Sequence, residues 1–405
     1  SYMIDGVPVN DPFGGASAAS TWEVEAVKDL EIITGTFNAE YGNAMSGVVN
    51  AVTKDGSNKF EASLNSNYST YLTKNKRNGK ELFIGLDPFG LNSNYDTRFN
   101  ISGPIVKDQI YFFSNFRTQA VNGYLNGIQR FQVWNLSDFY DQDSSTWTSE
   151  HTGNNKYIPM GTGDYSTFMG KISFNYGNIK FSFMRNINSG ISKGYNHIYK
   201  YNPDGRSYQD VKTTLDMFQF NHFLNEKMFY DFRISKTNNY YGSYVFKDYD
   251  SFKVVEEDGV YQGSYHFIGD TVYNYVHDKY MTAYGAGFFT GGQDKGHTQR
   301  TTNTLNTKFD FTWQINNAHS LKVGLSRTNY NLDNKYRTIR NAYAGTSLDA
   351  DYYSPEVLGD NTIYSDIYDV KPNEISLYLQ DKFEKDEIVI NYGLRYDAFD
   401  ANTTY

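Results

Sequence analysis

From residue 58 onward, apolar and polar side chains alternate along the chain. The clearest stretch sets Leu305, Thr307, Phe309, Phe311, Trp313 and Ile315 against Asn306, Lys308, Asp310, Thr312 and Gln314. Only Thr307 breaks the apolar set. A period of two is the signature of a strand with one apolar face. An earlier stretch does the same, with Phe60, Ala62, Leu64, Tyr68 and Leu72 opposed to Glu61, Ser63, Asn65, Asn67 and Ser69. Strands of soluble sandwiches usually alternate over about five or six residues, and these runs approach the ~10 needed by a tilted membrane strand.

Such strands come in pairs with short connections. Residues 95–102 lead through 103–108 to 109–118, and 168–175 through 176–178 to 179–185. Further pairs join 214–222 to 228–235, 305–315 to 321–328, and 374–383 to 388–397. The other connections, 73–93, 119–164, 186–207, 237–296 and 333–372, are long and polar. Alternating short turns and long loops predict an all-β transmembrane barrel with its turns on the periplasmic side. The phase predicts that Phe311 faces lipid and Asp310 the lumen. Phe311→Arg should then cost ~2–4 kcal/mol, whereas Asp310→Ala should leave assembly nearly unchanged.

The first 56 residues follow another pattern. Residues 1–9 read as a strand and 10–20 as a Gly/Ala/Ser/Pro loop. Thr21 to Leu30 reads as a short helix, because Ser20 or Thr21 can cap it and Val24, Val27 and Leu30 recur every three residues. Then Gly35, Gly42 and Gly47 punctuate two apolar runs, Leu30 to Ile33 and Val48 to Val52, as turns between strands require. Within residues 35–54, Gly35, Glu40-Tyr41-Gly42, Gly47 and Val52-Thr53-Lys54 closely resemble the last plug motif of TonB-dependent outer-membrane transporters. Upstream, Met3-Ile4-Asp5-Gly6-Val7-Pro8-Val9 resembles the strand with Asp5 and Gly6 that precedes it in the same plug.

The hairpins extend the resemblance from Met3 to Asp397. Ile101-Ser102-Gly103-Pro104-Ile105-Val106-Lys107-Asp108 resembles a turn of the Oar-like, carboxypeptidase-regulatory-domain branch, with Ser102 where a second Gly is common. Tyr378-Leu379-Gln380-Asp381 and Asn391-Tyr392-Gly393-Leu394-Arg395-Tyr396-Asp397 resemble its barrel strands. The resemblance implies that residues 1–56 are the C-terminal part of the plug. It implies that 57–405 are about eleven strands, half of a 22-stranded antiparallel barrel open at both edges. Ligand would bind at the outer loops and plug apex, where Asn10, Asp11 and Phe13 fall. TonB, engaged through a segment N-terminal to Ser1, would move the plug to import it. A surface lipoprotein partner also fits this branch, as does a receptor for peptide or protein traffic. A passive porin needs an open lumen, and an adhesin-like barrel has no need of a plug.

Composition narrows the alternatives. Aromatics make up 17% of the 405 residues, with 37 Tyr and 29 Phe, yet mean hydropathy is −0.63. No run reaches the ~18 apolar residues of a membrane helix, but an alternating barrel face escapes such averages. The absence of cysteine excludes disulfides and thiolate chemistry. A net charge of −9, with no basic run beyond Lys74-Asn75-Lys76-Arg77, argues against nucleic acid as a partner. The chain starts at Ser1 inside a strand without a leader pattern, and therefore reads as part of a longer protein.

No catalytic constellation is present, and the reading is not an enzyme. Histidines lack ligand spacing. Asp138, Asp141 and Asp143 could offer oxygens to Ca²⁺, but the Gly and bidentate acid of an EF-hand loop are missing, so no metal or cofactor is assigned. Tyr68, Tyr95, Tyr230, Tyr392 and Tyr396 fall in the lipid-facing phase and read as interfacial girdle residues contacting outer-membrane lipid. Loop aromatics are read as the binding mouth: Trp134, Tyr140, Trp147, Tyr157, Tyr240, Tyr241, Tyr265, Tyr273, Tyr275, Tyr352 and Tyr353. Such rings bind ligands at low entropic cost. The competing reading has them packing loop on loop.

Overall fold

The computed structural model describes residues 1–405 except 14–22, 35–37, 43–46, 72, 74–75, 78–79, 82, 87–93, 250–252, 258–259, 266, 269–270, 273–274, 282–286, 350–351 and 404–405. The described residues hold no α-helix. Two sheets organise them.

The smaller sheet has four strands, β1 (Tyr2–Ile4), β2 (Val7–Pro8), β3 (Val27–Ile33) and β4 (Val48–Thr53), in the order β2-β1-β4-β3. Strands β1 and β4 are parallel, the other pairs antiparallel. Residues 1–9, read from sequence as one strand, are thus a hairpin. Its turn is Asp5-Gly6, with φ of 46° and 77°, the left-handed pair that tight hairpins use. The expected helix at 21–30 is also corrected. Thr21 lies outside the described residues, Val24–Ala26 is a single 3-10 turn without a side-chain cap, and Val27–Ile33 is a strand. Backbone pairing with β4 and the β-branched Val27, Ile32 and Ile33 outweigh three-residue spacing.

The larger sheet is antiparallel and has twelve strands. They are β5 (Glu61–Ser69), β6 (Asn94–Val106), β7 (Ile110–Asn122), β8 (Thr162–Tyr176), β9 (Ile179–Lys193), β10 (Tyr208–Asn225), β11 (Met228–Tyr244), β12 (Gly296–Gln314), β13 (His319–Thr338), β14 (Ser365–Val370), β15 (Asn373–Lys385) and β16 (Ile388–Asp400). Eleven follow one another in chain order from β5 to β16, while β14 pairs beside β15 on the far part of β13. The two edges of this half-barrel are β5 and β16.

Most strands run longer than the sequence pattern indicates, up to 20 residues in β13. The Thr/Asn-rich segment 298–304 keeps pairing after its apolar alternation ends, because both neighbours continue alongside it. The turn expected at 103–108 contracts to 107–109, since Gly103, Pro104 and Val106 still pair with β7 around a bulge at Ile105. Asp108 takes the left-handed conformation there, φ 61°. The long loops shrink to match and carry short strand pairs of their own, such as Asn126–Ile128 with Tyr157–Pro159.

Burial is inverted relative to a soluble protein. On β12, Leu305 and Phe309 are exposed whereas Asn306 and Asp310 are buried. On β9, Phe181 and Phe183 are exposed while Ser182 and Asn186 are buried. Apolar rings face outward to lipid and polar groups face the small sheet, as in a membrane barrel. Among the described residues, an apolar core between the sheets joins Ile4, Val7, Val9 and Ala26 to Phe113, Met169, Met184, Leu215 and Met217.

Candidate functional site

The small sheet is tied to the wall by charged side chains at lumen-phase positions. Asp5, at the β1–β2 turn, accepts the Thr53 backbone N–H at 2.7 Å and the Thr53 hydroxyl at 2.5 Å, which fastens the turn to the end of β4. Lys171 on β8 donates to Thr53 Oγ1 at 2.9 Å and lies 3.3 Å from Asp5 and 3.0 Å from Asp55. Asp55 also meets Lys180 at 2.7 Å and accepts from Ser173 at 2.8 Å. Burial would raise the Asp55 carboxyl, but the two ammonium groups hold it down at about 2.

Two further ties flank this one. Arg98 bonds Glu25 at 2.7 Å and Arg117 bonds Glu23 at 3.0 Å, and both guanidiniums also bind Asp96 of β6. Burial pushes the Glu25 carboxyl up, yet Arg98 outweighs it and leaves it below the ordinary range. Glu40 pairs with Lys322, and its backbone N–H donates to Gln380. Arg395 donates to the carbonyls of Ala39 and Glu40.

Motif glycines make room for these cations. A Cβ at Gly6 would run into the Arg233 guanidinium, and one at Gly42 into that of Arg395. Gly47 lies beneath the Ile33 carbonyl, and the Lys54 N–H donates to Ala26 O. Tyr41 neighbours Gly42 beside the wall, and Gly35 lies outside the described residues.

On the outer side of the small sheet a cavity of about 540 Å³ opens between its apex and the wall. Asp11, Phe13 and Tyr241 line it, together with Glu23, Arg117, Tyr165 and Arg300. Arg300 on β12 lies over Phe13, 5.4 Å from the ring centroid, and 5.8 Å from that of Tyr241. Tyr368 of β14 meets Phe13 at 6.2 Å. Asn10 has an internal role, accepting the Tyr2 N–H and donating to Ser1.

The loop aromatics divide among several places. Tyr275 and Tyr353 are buried with Ile339 in a core made by the outer loops. Lys295 lies over Tyr353 at 4.7 Å and donates to its hydroxyl. Tyr352 lies with its ring tilted against that of Tyr343, centroids 5.9 Å apart. Tyr240 contacts Tyr244 and Lys247. Trp147 packs on Phe139 and donates to Asp141 O, while Tyr140 and Tyr157 are exposed. Trp134 is half-buried in the 123–161 loop. The Tyr265 side chain and Tyr273 lie outside the described residues. Asp138, Asp141 and Asp143 each accept a backbone N–H two residues on, which makes local turns of them. Sequence reading missed Lys171, Arg233 and Arg300; their signal was a lone cation at a lumen-phase strand position.

Residues 1–48 match the family described as the TonB-dependent Receptor Plug Domain. The chain is 37% identical over 117 residues to the TonB-dependent transporter Oar of Myxococcus xanthus, an alignment covering 28% of the chain and 11% of that relative. In structure it is similar to the outer membrane transporter YddB from Escherichia coli, with a TM-score of 0.61 and 12% identity over 98% of this chain and 48% of that one. It is also similar to the ferripyoverdine receptor of Pseudomonas aeruginosa, with a TM-score of 0.57 and 13% identity over 98% and 45%. The chain spans about half the length of these two structures. Residues 1–48 are thus a TonB-dependent receptor plug domain, and the sheet that follows has the fold of TonB-dependent outer-membrane barrels, to one of whose transporters, Oar, the chain is akin over 117 residues.

Proposed function

We propose that this chain is the plug end, residues 1–56, and the first eleven strands, within 57–405, of a transporter that captures a ligand between plug apex and barrel wall and imports it. TonB, acting through a segment outside the chain, would supply the force, and a surface lipoprotein would present the ligand. The observation that carries the reading is the mode of attachment. The plug is held by discrete ion pairs, Lys171 with Asp5 and Asp55, Arg98 with Glu25, and Lys322 with Glu40. Its apolar contact is mostly to the pliable Met169, Met184 and Met217. Such ties yield one at a time to a directed pull, whereas a continuous apolar interface of the same area resists it.

The test uses the absence of cysteine from these 405 residues. Asp55→Cys with Ser173→Cys, at positions whose side chains now touch, is placed in the full-length receptor, and depletion of medium components by whole cells is compared with a receptor deletion. Import should stop when the pair is oxidised, return on reduction, and require TonB throughout. Uptake that persists with the plug locked, or without TonB, excludes the reading.

A further inference from the structure

We propose that Arg300 anchors the carboxylate of a short peptide in the cavity beneath the outer loops, an assignment resting on the import reading above. Four observations lead to it. First, the charges lining the cavity are Asp11, Glu23, Arg117 and Arg300. Arg117 is neutralised by Glu23 and Asp96. Among the described residues, no carboxylate lies within ion-pair distance of Arg300, and no cation within that distance of Asp11. Within this chain the cavity therefore offers one cation and one anion without a direct ion-pair partner.

Second, Arg300 is held ready. Its Nε donates to Asn334 at 3.1 Å, and its face rests against Phe13 and Tyr241. That fixes the plane and leaves the terminal N–H groups for a bidentate acceptor, the geometry that suits a carboxylate. Third, the remaining polar lining is neutral: Gln119, Thr167, Asn239 and Thr302 offer amides and hydroxyls, matched to peptide groups. Fourth, Asp11 disfavours a second negative charge on the ligand and favours an ammonium. A polyanion such as citrate meets repulsion where a zwitterion meets a partner. The volume, about 540 Å³, falls in the range of small-ligand sites.

The seat on Phe13 gives the contact a consequence. Phe13 belongs to the plug, so a carboxylate that draws Arg300 toward itself loosens an apex contact at the moment the site fills. Ligand occupancy and plug release then share one side chain.

The experiment offers the purified full-length receptor in detergent a mixed-sequence tripeptide library with free C-termini, and the same library as C-terminal amides. Retained species are counted by mass spectrometry. Free acids should be retained at least about tenfold over amides, the usual weight of a charge-assisted contact. Arg300→Gln should bring the ratio to near one, and Arg300→Lys should restore part of it; heat-modifiable mobility checks that each variant is folded. Equal retention of acids and amides, retention of neither, an unchanged ratio in Arg300→Gln, or displacement of the peptides by citrate would each overturn the assignment. A separate arm follows whole-cell depletion of medium components. If Thr302→Trp blocks it and Arg300→Gln does not, the cavity stands as the import site and only the carboxylate anchor falls.

Discussion

Lys171 of the barrel wall holds Asp55, 116 positions earlier in the chain, at 3.0 Å, with 5% of the lysine side chain exposed. The lysine is shut off from water, while the Asp55 side chain keeps 28% of its surface exposed. Replacing the cation by Lys171→Met would strand Asp5, whose side chain is 7% exposed. Breaking a buried pair in this way costs about 3–5 kcal/mol. The expected outcome is a full-length receptor that still inserts but whose plug seats poorly, read as raised single-channel conductance and sensitivity to large antibiotics. Conductance equal to the parent would mean that Lys180 and Ser173 suffice to hold Asp55.

Gly6 and Gly42 differ in what an alanine would meet. Gly6→Ala strains a residue at φ 77° and displaces Arg233, whereas Gly42→Ala only displaces Arg395. The positive φ alone costs about 1 kcal/mol. Leak through the pore should therefore be greater for Gly6→Ala than for Gly42→Ala, and the reverse order would show that the Arg395 seat is the stiffer one.

Phe311 and Asp310 test the phase of the wall. Phe311→Arg should cost about 2–4 kcal/mol in refolding assays near the bilayer midplane. Asp310→Ala, expected from sequence to be nearly silent, is revised upward. Asp310 is buried, accepts the Tyr378 hydroxyl and pairs with Lys308 at 3.2 Å, so its loss leaves buried donors unpaired at about 1–3 kcal/mol. A silent Asp310→Ala would point to water filling the gap.

Lys295 predicts a pH response in the outer loops. Burial pushes its ammonium from 10.5 down to about 8, against the pull of Asp278 at 3.5 Å. A base with a lowered folded pKa destabilises the fold while charged. That penalty is complete below pH 8 and is relieved as pH rises from 8 toward 10.5. Tyr275 and Tyr353 do not oppose this, because burial raises both phenols and keeps them neutral across the window. Between pH 8 and 9 the loop core should gain about 1 kcal/mol, seen as stronger protection of the Val276 amide after correction for intrinsic exchange. Lys295→Met should flatten the curve. A parent whose protection falls over that interval would refute the sign.

How much of this was legible in the sequence depends on the range of the interaction. Period-two alternation around residues 305–315 is a local signal and marks the lipid face. The Asp5-Gly6 and Glu40-Tyr41-Gly42 motifs mark the plug. The segment 24–33 misled because its three-residue spacing is also local, while the strand pairing to 48–53 that decides it is not. Lys171 and Arg300 escaped for the same reason: their partners, Asp5 and Phe13, lie far away in sequence, and nothing nearby distinguishes them from solvated cations. Tyr275 and Tyr353 show the converse, being conspicuous in sequence yet packed on each other's neighbours.

The lengths of β12 and β13, 19 and 20 residues, carry a consequence for the placement of the mouth. At ~3.3 Å per residue and a tilt of ~45°, Arg300 stands roughly 30 Å above the periplasmic turn, beyond an apolar band of ~25 Å. The cavity thus stands on a collar of strand that rises past the outer end of the apolar band. Because side chains change sides with every residue, the height of this collar is quantised. Shortening both strands in steps of two lowers the mouth and keeps every ring toward lipid, whereas a step of one turns the wall inside out.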